Sequence, residues 1–361
     1  MVKSIQVILS LLFFFFTLTP LKGYPPSFTI GGYAEEVLYS MEGEPITSIP
    51  NITGRGILSW RSPLAGKGFF AVDTMAEVNK YLSKEYPVQD RESLSSILAF
   101  PVGESRMILE AGLESSISGQ DSAGLFLHPQ WKAGFKINRG KRKLNPFFFY
   151  TGSYLYQKEG WEDVLVQGGE GGFEFRPSIK NGYGLTFYGG WEYRPEYPLY
   201  GEGGSITGDN RRDIVFNLAG EADGLSGYFT DWNIKIGGGL RSSNANRYIE
   251  ELSFLDERSE CRVFLNQEGE LTWSPHRMVM VQLNLLFGEQ FYLAREALDA
   301  EKNRTGENLR IFTTRAGFRM DWTPDDTIFL VLQGSGTFNM ANDPAKTGLS
   351  LSLGGGVELS F

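Results

Sequence analysis

The sequence predicts an all-β fold, a transmembrane antiparallel β-barrel of about 16 strands (range 14–18), with an even number expected. Three observations predict it. Stretches of about ten residues alternate apolar and polar side chains through most of the chain, the period of a strand with one greasy and one wet face. Glycine and aromatics are abundant, with 44 Gly, 27 Phe, 16 Tyr and 7 Trp among 361 residues. Glycine at about 12% exceeds its usual share of about 7%. Connections between the alternating stretches are short and long by turns, the habit of a barrel with tight turns at one mouth and longer loops at the other.

Met1 to Gly23 reads as a secretory signal peptide. Lys3 supplies the positive start, Ile5 to Leu18 the apolar run, and small Gly23 the cleavage position. That run is shorter than the roughly 20 apolar residues of a spanning helix. The expected division is therefore a signal peptide over 1–23 and a barrel over 24–361. Removing the leader takes away two lysines and no acid, moving the formal net charge from -9 to -11. An acidic chain of this kind lacks the basic footprint of a nucleic-acid binder. Cys261 is the single cysteine, which excludes an internal disulfide and suggests a space-filling strand residue.

In chain order, residues 28–40, 52–62 and 91–101 carry the alternation weakly. Phe70, Val72, Ala76 and Val78 oppose Asp73 and Glu77. Met107, Leu109 and Leu113 oppose Arg106, Glu110 and Glu114; Leu127, Trp131 and Phe135 oppose His128, Lys132 and Lys136. Phe148, Tyr150 and Tyr154 oppose Thr151 and Ser153; Phe173 and Phe175 oppose Glu170, Glu174 and Arg176. Leu185, Phe187 and Trp191 oppose Glu192 and Arg194; Ile214, Phe216 and Leu218 oppose Asn217 and Glu221. Trp232, Ile234, Ile236 and Leu240 oppose Asp231, Lys235 and Arg241; Val263, Leu265 and Leu271 oppose Arg262, Glu268 and Glu270. Val281, Leu283 and Leu285 oppose Gln282 and Asn284; Phe312, Phe318 and Met320 oppose Arg315, Arg319 and Asp321; Ile328, Leu330 and Leu332 oppose Gln333 and Ser335.

Short turns fall at 138–142, 177–182, 223–227, 274–277 and 323–326, and longer connections at 195–210, 242–258 and 292–306. All these short turns come out on one side and all these longer segments on the other. Tyr183, Tyr228, Trp273 and Trp322 flank the short turns, where an aromatic girdle belongs. Ala294 to Lys302 is rich in helix formers and predicts a short helix in an outer loop. The segment 242–258 is a candidate for a loop that folds inward.

The last stretch, Gly348 to Phe361, is the clearest. Leu349, Leu351, Leu353, Val357, Leu359 and Phe361 share one parity; Ser350, Ser352, Gly354, Gly356, Glu358 and Ser360 share the other. An oily alternating strand running to a terminal aromatic resembles the closing strand of bacterial outer-membrane β-barrel proteins, a porin-like class. The resemblance implies the outer membrane of a Gram-negative-type bacterium. It also implies outer-membrane lipid as surroundings, and recognition by the barrel assembly machinery through the strand ending at Phe361.

Arg or Lys facing lipid at the midplane costs about 2–4 kcal/mol, so the charged parity is expected to line the interior. The lumen candidates are Asp73, Glu77, Arg106, Glu110, Glu114, Lys132, Lys136, Glu170, Glu174, Arg194, Glu221, Asp231, Lys235, Arg262, Glu268, Glu270, Arg315 and Arg319. Barrels of 16–18 strands leave an aqueous channel. No metal-ligand spacing and no phosphate loop are present, and no cofactor is expected. The two histidines, His128 and His276, offer no recognisable catalytic constellation, so the chain is not expected to be an enzyme. The reading is a porin-like channel for small hydrophilic solutes, monomeric or a homotrimer. A non-conducting surface or partner-binding barrel is the alternative, and an outer-membrane enzyme a third.

Overall fold

The computed structural model describes residues 27–361 apart from 42–46, 65–67, 82–88, 103–104, 119–125, 138–143, 158–162, 179, 227–229, 250–253 and 257. The leader assigned to 1–23 and the girdle position Tyr228 lie outside the described residues. The strands are β1 (Ser27–Met41), β2 (Thr47–Pro63), β3 (Phe69–Tyr81), β4 (Gln89–Val102), β5 (Ser105–Ser118), β6 (Phe126–Ile137), β7 (Leu144–Gln157), β8 (Val164–Phe175) and β9 (Asn181–Tyr200). They continue as β10 (Ile206–Leu225), β11 (Thr230–Ser243), β12 (Arg247–Ile249), β13 (Phe254–Asp256), β14 (Arg262–His276), β15 (Val279–Leu298), β16 (Arg304–Asp325), β17 (Ile328–Ala341) and β18 (Gly348–Ser360). All but β12 and β13 join one closed sheet in which sequence neighbours pair and β1 returns to β18. The pairing is antiparallel throughout, so the barrel has 16 strands, as the alternation and turn parity predict.

Residues paired across two strands share a face. Leu94 opposite Leu113, Phe135 opposite Phe148, and Phe187 opposite Leu218 therefore trace the outer face around the wall. Those side chains are exposed, as are Ile236, Leu265, Leu285, Phe338 and Leu353. Exposed grease on the convex side of a closed cylinder is a hydrocarbon-facing belt. Closure also satisfies every ladder position that a free edge would leave open, which is the condition for strands to cross a membrane. At the mouth where β1 begins and β18 ends, Tyr183, Trp273, Trp322 and Phe361 are exposed.

At the opposite mouth the strands run past the belt. The predicted helix at 294–302 is absent: β15 continues as strand to Leu298, pairing Glu296 with Asn308 and Leu298 with Arg304. Its helix formers alternate instead. Ala297 and Leu309 are fully buried and pack with Tyr292, Ile311 and Ala341 in a small apolar cluster. Tertiary packing of alternate side chains outweighs helix propensities that differ by only tenths of a kcal/mol. The long connections at 195–210 and 292–306 shrink likewise to residues 201–205 and 299–303 between extended strands.

The 242–258 segment carries the small β12–β13 hairpin, which packs against the ends of β9 and β15 and the 202–204 turn. Asparagine side chains clip it there. Asn244 accepts from the Arg212 backbone N–H at 2.6 Å and donates to the Asn210 carbonyl at 3.1 Å. Asn246 does the same to both backbone groups of Tyr200, at 2.8 and 2.6 Å. Asn342 repeats the device on β16, accepting from Arg310 at 2.9 Å and donating to the Asn308 carbonyl at 3.0 Å. An Asn amide has a donor and an acceptor spaced like a peptide group, so it extends a ladder where the neighbouring strand has ended.

Candidate functional site: the lumen wall

The inner face carries the charged parity, and the tilt of the strands decides who meets whom. Several ion pairs reach two strands along the wall. Lys132 on β6 meets Glu170 on β8 at 3.4 Å and stands over the Phe149 ring at 4.3 Å. Lys136 meets Glu174 at 2.7 Å, again β6 to β8. Arg241 on β11 holds Glu192 on β9 through two nitrogens, each at 2.8 Å. Arg319 on β16 holds Glu358 on β18 at 3.0 Å as well as its own Asp321 at 2.8 Å. Arg176, just past β8, reaches Asp223 on β10 at 3.2 Å. These charges lie along the wall.

The closing seam has its own network. The Tyr33 hydroxyl of β1 donates to Glu358 of β18. On β2 and β3, Arg55 approaches Glu77 at 4.0 Å, and Thr53 donates to Asn79 at 2.6 Å. His128 lies 3.0 Å from the Gln130 amide and 4.0 Å from Glu114.

Near the loop mouth the inner wall becomes dry. Asp213 is fully buried and accepts from Arg211, Arg241 and Ser243, with Arg211 Nη2 at 2.8 Å and Arg241 Nη1 at 2.6 Å. Arg194 sits opposite Arg211 across β9 and β10 and approaches Glu192 at 4.0 Å. Cys261 immediately precedes β14; its Sγ accepts from the Ser243 N–H and donates to the Ser243 carbonyl, both at 3.2 Å. Arg262 and Arg295 share Glu260, each at 3.3 Å, and Arg262 donates to the Tyr292 hydroxyl at 2.9 Å. Sequence reasoning named Arg194 and Arg262 but missed Asp213, Arg211 and Glu260. They lie just beyond the expected connections 195–210 and 242–258, and the burial of Arg211 and Asp213 comes with partners distant in sequence, Arg241 and Ser243.

Other inner-face charges stay wet. Asp73, Arg106, Glu221, Asp231, Lys235, Glu268, Glu270 and Arg315 are exposed. Glu221 accepts from Asn233 at 2.5 Å, and Arg315 donates to the Thr337 hydroxyl at 3.2 Å. A cavity of about 600 Å³ lies against β11 and β14–β18, bordered by Glu268, Glu270, Arg315, Arg319 and amides such as Asn233 and Gln333. Cavities of about 420 and 430 Å³ lie against the arcs around Glu110 and Lys132 and around Glu170 and Lys235. Among the described residues, no group of three His, Cys, Asp or Glu side chains could hold a metal ion.

A closed 16-strand cylinder, greasy outside and charged inside, places the chain in the fold class of bacterial outer-membrane β-barrels. No protein-family model matches the chain, and no curated protein sequence does. Solved structures do match. OccAB1 of Acinetobacter baumannii superposes with a TM-score of 0.52 at 8% identity, over 95% of this chain and 99% of that one. Pseudomonas aeruginosa OccD3 (OpdP) aligns at TM-score 0.48 and 8% identity over 95% of both chains. The outer membrane protein OprD of the same organism aligns at 0.45 and 9%, over 95% of this chain and 96% of that one. At such identities the likeness is one of fold.

Proposed function

We propose that the chain, freed of its leader at 1–23, is a porin-like outer-membrane channel for small hydrophilic solutes. One observation carries this reading. The inner charges neutralise one another along the wall, between strands two apart, while the cavities beside them stay bordered by exposed carboxylates, amides and arginines. A barrel that served only as a closed anchor would gain by filling that space with packed side chains. Low-field, mixed-sign walls let hydrated solutes enter and leave without being trapped.

The channel needs no cofactor, and no catalytic step is assigned to it. His128, beside Gln130 and Glu114, serves the wall's hydrogen bonding. Its assembly partner is the barrel assembly machinery, engaged through β18 and Phe361. Refolded protein in a planar bilayer is expected to give discrete conductance steps in KCl. A correctly folded barrel that stays silent would replace this reading with a non-conducting surface barrel. Hydrolysis of lipid or peptide that disappears in His128→Ala would replace it with an enzyme.

A further inference from the structure

On the inner wall, β3 to β7 carry an apolar stripe. One register line crosses these five strands as Phe69, Ala99, Ile108, Gly134 and Phe149, all on the inward parity and none polar. Ile97 on β4 and Phe147 on β7 border it on the same face. Ala99 and Phe149 are buried, while Phe69, Ile97, Ile108 and Phe147 are partly exposed. Glycines make room for the rings: a Cβ at Gly134 would come within 2.6 Å of the Phe149 ring, and one at Gly172 within 3.0 Å of the Phe147 ring. The 420 Å³ cavity adjoins the stripe through Ile97 and Lys132. An apolar surface that faces water favours a solute able to cover it.

Opposite charges stand at its two edges. On β5 the inward residues Arg106 and Glu110 flank Ile108, Arg106 toward the short-turn mouth and Glu110 toward the loop mouth. Arg106 is exposed and Glu110 half-buried. Among the described residues neither is in an ion pair, nor are Arg61 on β2 and Asp73 on β3. Lys132 and Lys136 on the next strand are already held by Glu170 and Glu174. Paired lines climb toward the loop mouth, leading from Ile30 near the start of β1 to Tyr156 near the end of β7. With strands tilted by 35–45°, the climb is about 1.2 residues per strand. Pairing runs Arg61 to Ala71 to Ile97 to Glu110, and Asp73 to Ser95 to Gly112. Arg61 therefore shares the depth of Arg106, and Asp73 that of Glu110. The stripe climbs from the level of the two arginines at Phe69 to that of the two acids at Phe149.

We propose that the stripe is a binding site for linear zwitterions with an apolar middle, of the class of an extended tripeptide of apolar residues. The carboxylate end sits on Arg106, the ammonium end on Glu110, and the side chains between them cover Ile108, Ile97 and Ala99. The inference rests on the channel reading, for which it names a solute. The lengths agree. Four residues of strand separate the Arg106 and Glu110 Cα atoms by about 13 Å. An extended tripeptide spans about 10 Å, and a hydrogen bond of roughly 3 Å at an end closes the gap. Arg61 and Asp73 give the neighbouring wall the same polarity, so the solute is held in one direction. A simple anion or cation leaves one edge unanswered, and a zwitterion without apolar side chains leaves the stripe wet.

The test uses the full barrel, with folding checked by heat-modifiable gel mobility and trivaline as the probe. Binding is read by calorimetry in mild detergent and by interruption of single-channel current. Trivaline is expected to bind at least about tenfold more tightly than triglycine, N-acetyltrivaline or trivaline amide, which lack the apolar body, the ammonium and the carboxylate in turn. Arg106→Gln should abolish the preference over the amide and keep that over the N-acetyl form; Glu110→Gln should do the reverse. Ile108→Ser should bring trivaline close to triglycine. Equal binding of the four probes to the wild type, no binding of trivaline, or preferences that survive both charge removals would each overturn the proposal. Binding to a folded barrel that stays silent would keep the site and remove the channel reading. Conductance without binding would keep the channel and remove the site.

Discussion

Asp213 shows how much a single carboxylate organises here. It is fully buried, and it neutralises Arg211 and Arg241 while accepting from Ser243, whose hydroxyl in turn accepts from the Ala245 N–H at 3.0 Å. Removing one member of a buried charge network strands the others, at a typical cost of about 3–5 kcal/mol. Asp213→Ala is therefore expected to loosen the loop-mouth rim, read as rapid proteolysis within 243–261 while the rest of the barrel stays protease-resistant. Cys261→Ser keeps a donor and acceptor in the same place, so its cost should stay near about 1 kcal/mol. Equal protease sensitivity in the two variants would count against this assignment of roles.

Among elements, β18 is the one whose design is plainest. Leu353 is outward and well exposed, while Ser352 borders the 600 Å³ cavity and lies 2.9 Å from Ser335. Adjacent residues thus meet hydrocarbon and water. Leu353→Arg should destabilise the refolded barrel by about 2–4 kcal/mol in urea titrations in lipid vesicles, whereas Ser352→Arg should cost little. Equal losses would mean that the parity is misread.

The alternation makes this element legible in sequence, because successive strand residues point to opposite faces whatever the rest of the chain does. The β15–β16 hairpin was not legible in the same way. Ala294 to Lys302 has good helix formers, yet Ala297 and Leu309 are buried against Tyr292, a partnership that local propensity cannot register. The clips by Asn244, Asn246 and Asn342 were equally invisible, since each joins backbone groups 32 to 46 residues away.

For the whole molecule, the electrostatics of the lumen follow from which charges remain wet after the wall has paired its own. On the β11–β16 arc the exposed carboxylates Asp231, Glu268 and Glu270 face the exposed cations Lys235 and Arg315. This arc leans negative, so the channel is expected to pass K⁺ in preference to Cl⁻. Glu268→Gln with Glu270→Gln should move the reversal potential in a tenfold KCl gradient toward zero. No movement would show that permeating ions do not pass this arc. The effect should shrink at high salt, where the screening length falls to about 3 Å at 1 M.

The sequence by itself determined an even-stranded barrel of about 16 strands, the side of the wall each alternating residue occupies, and the mouth at which each short turn lies; closure of the sheet settled the count at 16. Those properties depend on the two-residue repeat of an extended backbone and on up-and-down connectivity, both written locally in the chain. Tertiary structure alone decided that Lys132 finds Glu170, that Arg241 finds Glu192, and that Asp213 becomes dry. Strand tilt and the accumulated register around a closed cylinder set those neighbours, and neither quantity exists until the barrel has closed.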